Sequence, residues 1–103
     1  MVRELGSETF ESLVCSGRVL VDFYSPTCGP CKMLSFVLGD VSRDVGDDLL
    51  ILKVNFDENQ DLVEANEIKG YPTLIYFENG AEVRRMTGLH QKPEIVRFVE
   101  PRE

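Results

Sequence analysis

At 103 residues, with 43% hydrophobic and 28% charged side chains, the chain has room for one globular domain with its own core and not for two of ordinary size. No segment approaches the apolar length of a bilayer-spanning helix, which argues against a membrane protein. Eleven Lys plus Arg against 18 Asp plus Glu give a net charge of -7 that would repel a phosphate backbone, so nucleic acid is not an expected partner, and the scattered carboxylates read as a solvated surface.

The chain opens on Met1-Val2-Arg3-Glu4-Leu5-Gly6-Ser7-Glu8, with acidic residues where a secretory signal needs an apolar stretch, and a cytoplasmic home is the expectation. Val2 to Leu5 has the length of a short strand. Ser7 is placed to cap a helix that carries Phe10, Leu13 and Val14 at helical spacing as far as Gly17. Val19 to Tyr24 is a nearly unbroken apolar and β-branched run, which suits a central strand covered on both faces and so a parallel sheet. Asp22 interrupts that run.

Directly after this strand stands Cys28-Gly29-Pro30-Cys31, which opens a helical pattern. Two thiols at this spacing can close a small disulfide ring or open it again. At a helix start, the unpaired backbone N–H groups and the positive end of the helix dipole favour a thiolate. A loop this small removes little entropy from the unfolded chain, so redox chemistry is a better reading than a static staple. Zinc uses the same spacing but wants four ligands, and here it would have to recruit Cys15 and His90; no metal is expected. Cys15 itself reads as a small buried hydrophobe on the first helix, and His90 as a surface residue.

From Cys31 onward, Met33, Leu34, Val37, Leu38, Val41 and Val45 recur at intervals of three and four, which predicts a long amphipathic helix ending near Gly46 with Asp40, Arg43 and Asp44 on its outer face. Leu49 to Phe56 reads as a second buried strand containing Lys53. The strand, helix, strand order predicts a right-handed parallel crossover. A short helix follows with Leu62, Val63 and Ala65 on one side, broken at Gly70. Thr73 to Glu78 and Ala81 to Met86 then flank Asn79-Gly80, a strong hairpin signal. Pro93 fits the first turn of a last helix with Ile95, Val96, Phe98 and Val99 on its apolar face, and Pro101 helps to stop it. The order of elements predicts an α/β fold with a mixed sheet.

Val21-Asp22-Phe23, Cys28-Gly29-Pro30-Cys31-Lys32-Met33, Lys53-Val54-Asn55-Phe56-Asp57, Gly70-Tyr71-Pro72-Thr73-Leu74, Phe77-Glu78-Asn79-Gly80 and Gly88 stand in the order and spacing of the thioredoxin family, which the chain resembles over nearly its full length, residues 1–103 forming a single such domain. The resemblance implies a central five-stranded mixed β-sheet flanked by four helices. It also implies reversible reduction of disulfides in other proteins, with no bound cofactor. Electrons would come from an external thioredoxin reductase, linked to NADPH, and the partners would be disulfide-containing proteins met by a monomer.

By that resemblance Cys28 is the nucleophile and Cys31 the resolving thiol. Asp22 is a buried acid whose desolvation raises its pKa and makes it a base for Cys31. Lys53 on the neighbouring strand modulates Asp22, or merely pairs with it. Gly29 and Pro30, between the thiols, help to set the reduction potential. Pro72 is expected as a cis proline facing the disulfide, although an X-Pro bond is by itself mostly trans. Thr27, Tyr71, Pro72 and Gly88 complete the expected substrate surface with Gly29 and Pro30; a plain turn glycine is the competing reading of Gly88.

The chain also departs from the family. Thr27 and Tyr24 stand where tryptophans are usual, Tyr71 where a smaller aliphatic residue or threonine is common, and Phe36 where many relatives have a helix-kinking proline. A straighter helix with Phe36 filling core space is the expectation, with Tyr71 restoring part of the lost contact surface. These changes leave two further readings open: a specialised relative serving one substrate or an isomerase system, and a binding subunit that holds a partner without turnover.

Overall fold

In the computed structural model, which describes residues 1–102, the order is β1 (Val2–Glu4), α1 (Phe10–Val14), β2 (Arg18–Tyr24), α2 (Gly29–Val45), a 3-10 turn (Gly46–Asp48), β3 (Leu49–Asn55), α3 (Gln60–Ala65), β4 (Thr73–Glu78), β5 (Ala81–Thr87) and α4 (Lys92–Phe98). The sheet order is β1-β3-β2-β4-β5, with β1, β3 and β2 parallel and the β4–β5 hairpin antiparallel to them. This is the expected five-stranded mixed sheet with four α-helices.

β2 lies at the centre, and its interior residues Val19 to Phe23 are all buried because helices cover both faces. Side chains alternate along a strand, so Val19, Val21 and Phe23 pack with Phe10, Val14 and Val63 of α1 and α3. Leu20 packs on the other face with Leu34, Leu38 and Val41 of α2 and Ile95 of α4. Asp22 shares the parity of Leu20, and Lys53 that of Ile51, which puts both charged residues on the α2 side of the sheet. Asn79 and Gly80 take φ of 50° and 88°, the left-handed conformations that a two-residue hairpin turn requires.

Several local expectations are corrected. Thr9, not Ser7, caps α1: its Oγ1 accepts from the Ser12 N–H at 3.4 Å, because the cap is the residue directly before the first helical one. Cys15 is exposed rather than buried, since α1 ends at Val14 and the next residue points away from its apolar face. Phe36, 76% exposed, fills no core space: it lies two residues from both Leu34 and Leu38, on the opposite side of α2. Met33 and Ala65 are exposed for the same reason of phase, with Ala65 two residues past the buried Val63.

Candidate active site

β2 delivers the chain to a tight turn that ends in the cysteine pair. Ser25 is buried; its Oγ lies 3.2 Å from Thr27 Oγ1, and its carbonyl accepts from the Cys28 N–H at 3.2 Å. Cys28 then occupies the N-cap of α2 with extended backbone, Gly29 and Pro30 fill the first helical positions, and a proline there sacrifices no helical hydrogen bond. Cys28 and Cys31 are joined as a disulfide, their Cα atoms 5.2 Å apart. Cys28 Sγ accepts from the Cys31 backbone N–H at 3.1 Å. Cys28 is half-buried whereas Cys31 is 3% exposed, so a partner meets Cys28 first.

The strand register brings the remaining rim residues to the same end of the sheet. Phe23 pairs with Thr73 and Thr73 with Thr87, so the Ser25–Cys28 turn, Tyr71-Pro72 and Gly88 all lie beyond the ends of those strands. The Tyr71-Pro72 bond is cis, as the resemblance implied. The Pro72 carbonyl accepts from the Gly88 N–H at 2.8 Å, and Gly88 has φ of 86°, so its lack of a side chain has a backbone reason beside any role in substrate access. Tyr71 is 45% exposed and sets its ring edge-on to Phe56, with centroids 5.1 Å apart. Thr27 and Gly29 are exposed, as is Pro30.

Asp22 has no exposed surface, and among the described residues neither of its carboxylate oxygens receives a hydrogen bond. Burial pushes its pKa up to about 7, with Lys53 opposing that rise and Glu4 adding to it. Although Lys53 is the register partner of Asp22 on β3, its Nζ donates to Ser35 Oγ on α2 at 2.9 Å and sits 4.6 Å from the Tyr24 ring centroid. Among the described residues no ion pair joins Lys53 to Asp22, so the reading of Asp22 as a carboxylate merely paired with Lys53 does not describe this arrangement. The Tyr24 hydroxyl donates to Glu4 at 2.7 Å, and burial followed by that bond holds the phenol above its usual pKa.

A groove of about 270 Å³ opens beside the pair, walled by Tyr24, Cys31, Lys32, Ser35, Phe36 and Lys53. Ser25 and Ser35 escape a reading of the sequence, where a serine in a turn or on a helix carries no sign of its partner; only the Ser25-Pro26-Thr27 turn chemistry hints at the first. The donors proposed for zinc do not gather here. Cys15 lies against Gly80 in the β4–β5 turn, at the far end of the sheet, and both His90 ring nitrogens are engaged, by the Thr87 carbonyl at 2.7 Å and by Glu94 at 3.0 Å.

Comparison with known proteins places this geometry in a family. The thioredoxin family model matches residues 1–101. A thioredoxin of Chlamydia pneumoniae is 40% identical over 99 residues, 96% of each chain, and one of Bacillus subtilis is 35% identical over 92 residues, 89% of this chain and 88% of its own. Among solved structures, a mutant thioredoxin from Halobacterium salinarum superposes with a TM-score of 0.85 at 30% identity, over 95% of this chain and 87% of the other.

Proposed function

The chain belongs to the thioredoxin family and is a thiol–disulfide oxidoreductase that reduces protein disulfides, and on that premise we propose how its residues divide the work. The Cys28 thiolate attacks one sulfur of a substrate disulfide, forming a mixed disulfide and expelling the other sulfur as a thiolate. Cys31 then loses its proton to the Asp22 carboxylate and attacks Cys28 Sγ. The second substrate thiolate leaves, the Cys28–Cys31 bond closes, and two electrons have passed to the substrate.

The observation that carries this reading is the disulfide itself, with a partly exposed Cys28 on a helix cap and a buried Cys31 behind it. The depth of Asp22 and its elevated pKa support the proton step, because a base that titrates near neutrality can both take and return a proton. Lys53 modulates that acid. Thr27, Gly29, Pro30, Tyr71, Pro72 and Gly88 form the surface on which an extended substrate segment lies, with the backbone beside Pro72 pairing to it in the manner of a strand.

Thioredoxins bind no cofactor and are re-reduced by an external reductase. We propose that here the reductase is NADPH-linked and that residues 1–103 act as one monomeric domain in the cytoplasm. No helix of the described residues is long and apolar enough to cross a membrane, and the net charge of -7 argues against a nucleic-acid partner. The relatives and the intact cysteine pair favour this reading over a dedicated specialist or a binding subunit without turnover. Insulin reduction with dithiothreitol tests it. Cys28→Ser should fall to the uncatalysed rate, and Cys31→Ser should accumulate a mixed disulfide with substrate; full turnover by Cys28→Ser would overturn the assignment.

A further inference from the structure

Lys53 faces two possible partners. Across the β2–β3 register stands Asp22, a carboxylate with no hydrogen-bond donor among the described residues, and a charge-assisted bond between the two would be stronger than a neutral one. The ammonium instead donates to the Ser35 hydroxyl and lies over the Tyr24 ring, which is itself fixed by the bond from its hydroxyl to Glu4. Cation–π attraction and one hydrogen bond to a neutral oxygen thus hold a cation that a buried carboxylate would otherwise draw in.

We propose that Ser35 is a positioning residue: its hydroxyl, together with the Tyr24 ring, tethers the Lys53 ammonium short of the Asp22 carboxylate and so sets how tightly that acid holds its proton. An ammonium brought into contact with a carboxylate lowers its pKa by about one to three units, whereas burial alone raises it. The tether keeps burial the stronger influence. The charged groups that act on Asp22 are Lys53 from β3 and Glu4 from β1, and Tyr24 of its own strand feels the Asp22 charge in turn; β4 presents only the apolar Leu74 in register, and α2 brings Cys31, which shares the groove with Lys53. A serine four residues beyond Cys31 therefore tunes the proposed base through a lysine, without touching the reacting sulfurs.

The inference rests on Asp22 acting as the base for Cys31, and its test separates the two ideas. The Asp22 carboxyl carbon is followed by NMR against pH in the full oxidised chain, in wild type, Ser35→Ala, Ser35→Thr, Lys53→Gln and the Ser35→Ala/Lys53→Gln double variant. Alanine is the best helix former, so Ser35→Ala preserves α2 while removing the tether. The Asp22 midpoint should then fall by about one pH unit or more. Ser35→Thr should restore it, and Ser35→Ala should move nothing further once Lys53 is Gln. An unmoved midpoint in Ser35→Ala, or an equal movement without Lys53, overturns the tether whatever Asp22 does. If the midpoint falls as expected while Asp22→Asn resolves mixed disulfides at the wild-type rate, the tether stands and the proton role of Asp22 is lost.

Discussion

Cys28 Sγ receives the backbone N–H of Cys31, the residue to which it is also bonded through sulfur. One helix turn thus supplies the resolving thiol and a hydrogen-bond donor that persists when the disulfide is opened, because that donor is a backbone group fixed by α2. A negative sulfur at the N-cap is stabilised by this bond and by the dipole of a 17-residue helix.

Selective alkylation follows from this arrangement. In the reduced protein with Cys15→Ser in place, iodoacetamide at pH 7 should modify Cys28 about tenfold or more faster than the buried Cys31. Fragment mass spectrometry of the peptide holding both cysteines reads the order. Equal rates would show that neither burial nor the cap distinguishes the two sulfurs.

The stability of the fold should carry a signature of Asp22. Its pKa is raised from the ordinary 3.8 to about 7, so between those values the native protein keeps a proton that the unfolded chain releases. Stability from this group is therefore lost as pH climbs from about 4 to about 7 and stays lost above, by about 4 kcal/mol in order of magnitude. Urea unfolding of Asp22→Asn should show a stabilisation over wild type at pH 8 that shrinks toward pH 4.5. The same difference at both pH values would mean that Asp22 does not titrate in this window.

Two neighbouring substitutions on α2 should differ sharply. Leu38→Ala empties a fully buried site between helix and sheet and should cost about 2–5 kcal/mol. Phe36→Ala, at a residue 76% exposed, should stay within about 0.5 kcal/mol of wild type by chemical denaturation. A Phe36→Ala loss as large as that of Leu38→Ala would contradict the exposure of the ring.

Tyr71 bears on the choice of substrate. Its ring leans on Phe56 and remains 45% exposed beside Pro72, a large apolar edge on a surface where Thr27 offers little. An aromatic contact is worth about 0.5–1.5 kcal/mol beyond its area, so Tyr71→Ile should change kcat/KM ratios among several protein disulfides by about two- to tenfold. Ratios of kcat/KM across the panel that stay the same after the substitution would leave Tyr71 without a role in discrimination.

Most of the architecture is written in local pattern. The apolar run Val19 to Tyr24 specified a strand buried on both faces, the three-and-four spacing of Leu34, Leu38 and Val41 specified the long helix, and Asn79-Gly80 specified the hairpin, because each signal involves residues that are neighbours in the chain. The cysteine pair and the buried acid were legible for the same reason: a Cys-x-x-Cys at a helix start and a carboxylate inside an apolar run are anomalies visible without a partner. Cys15 lies past the end of α1, and Phe36, expected in the core from the place it takes in the family, faces away from it; Met33 and Ala65 depart from expectation because hydrophobic character does not fix the phase of a helix to within one residue.

What only the tertiary structure decided was where Lys53 reaches. The sequence put a lysine on one buried strand and an aspartate on another, and the register made them neighbours, yet the ammonium turned to a serine 18 positions away in the chain and to the Tyr24 ring. A long, flexible side chain selects its partner from whatever oxygens and rings the assembled fold brings within a few ångströms, and that set is created by helix rotation and strand register together, which no stretch of the chain contains by itself.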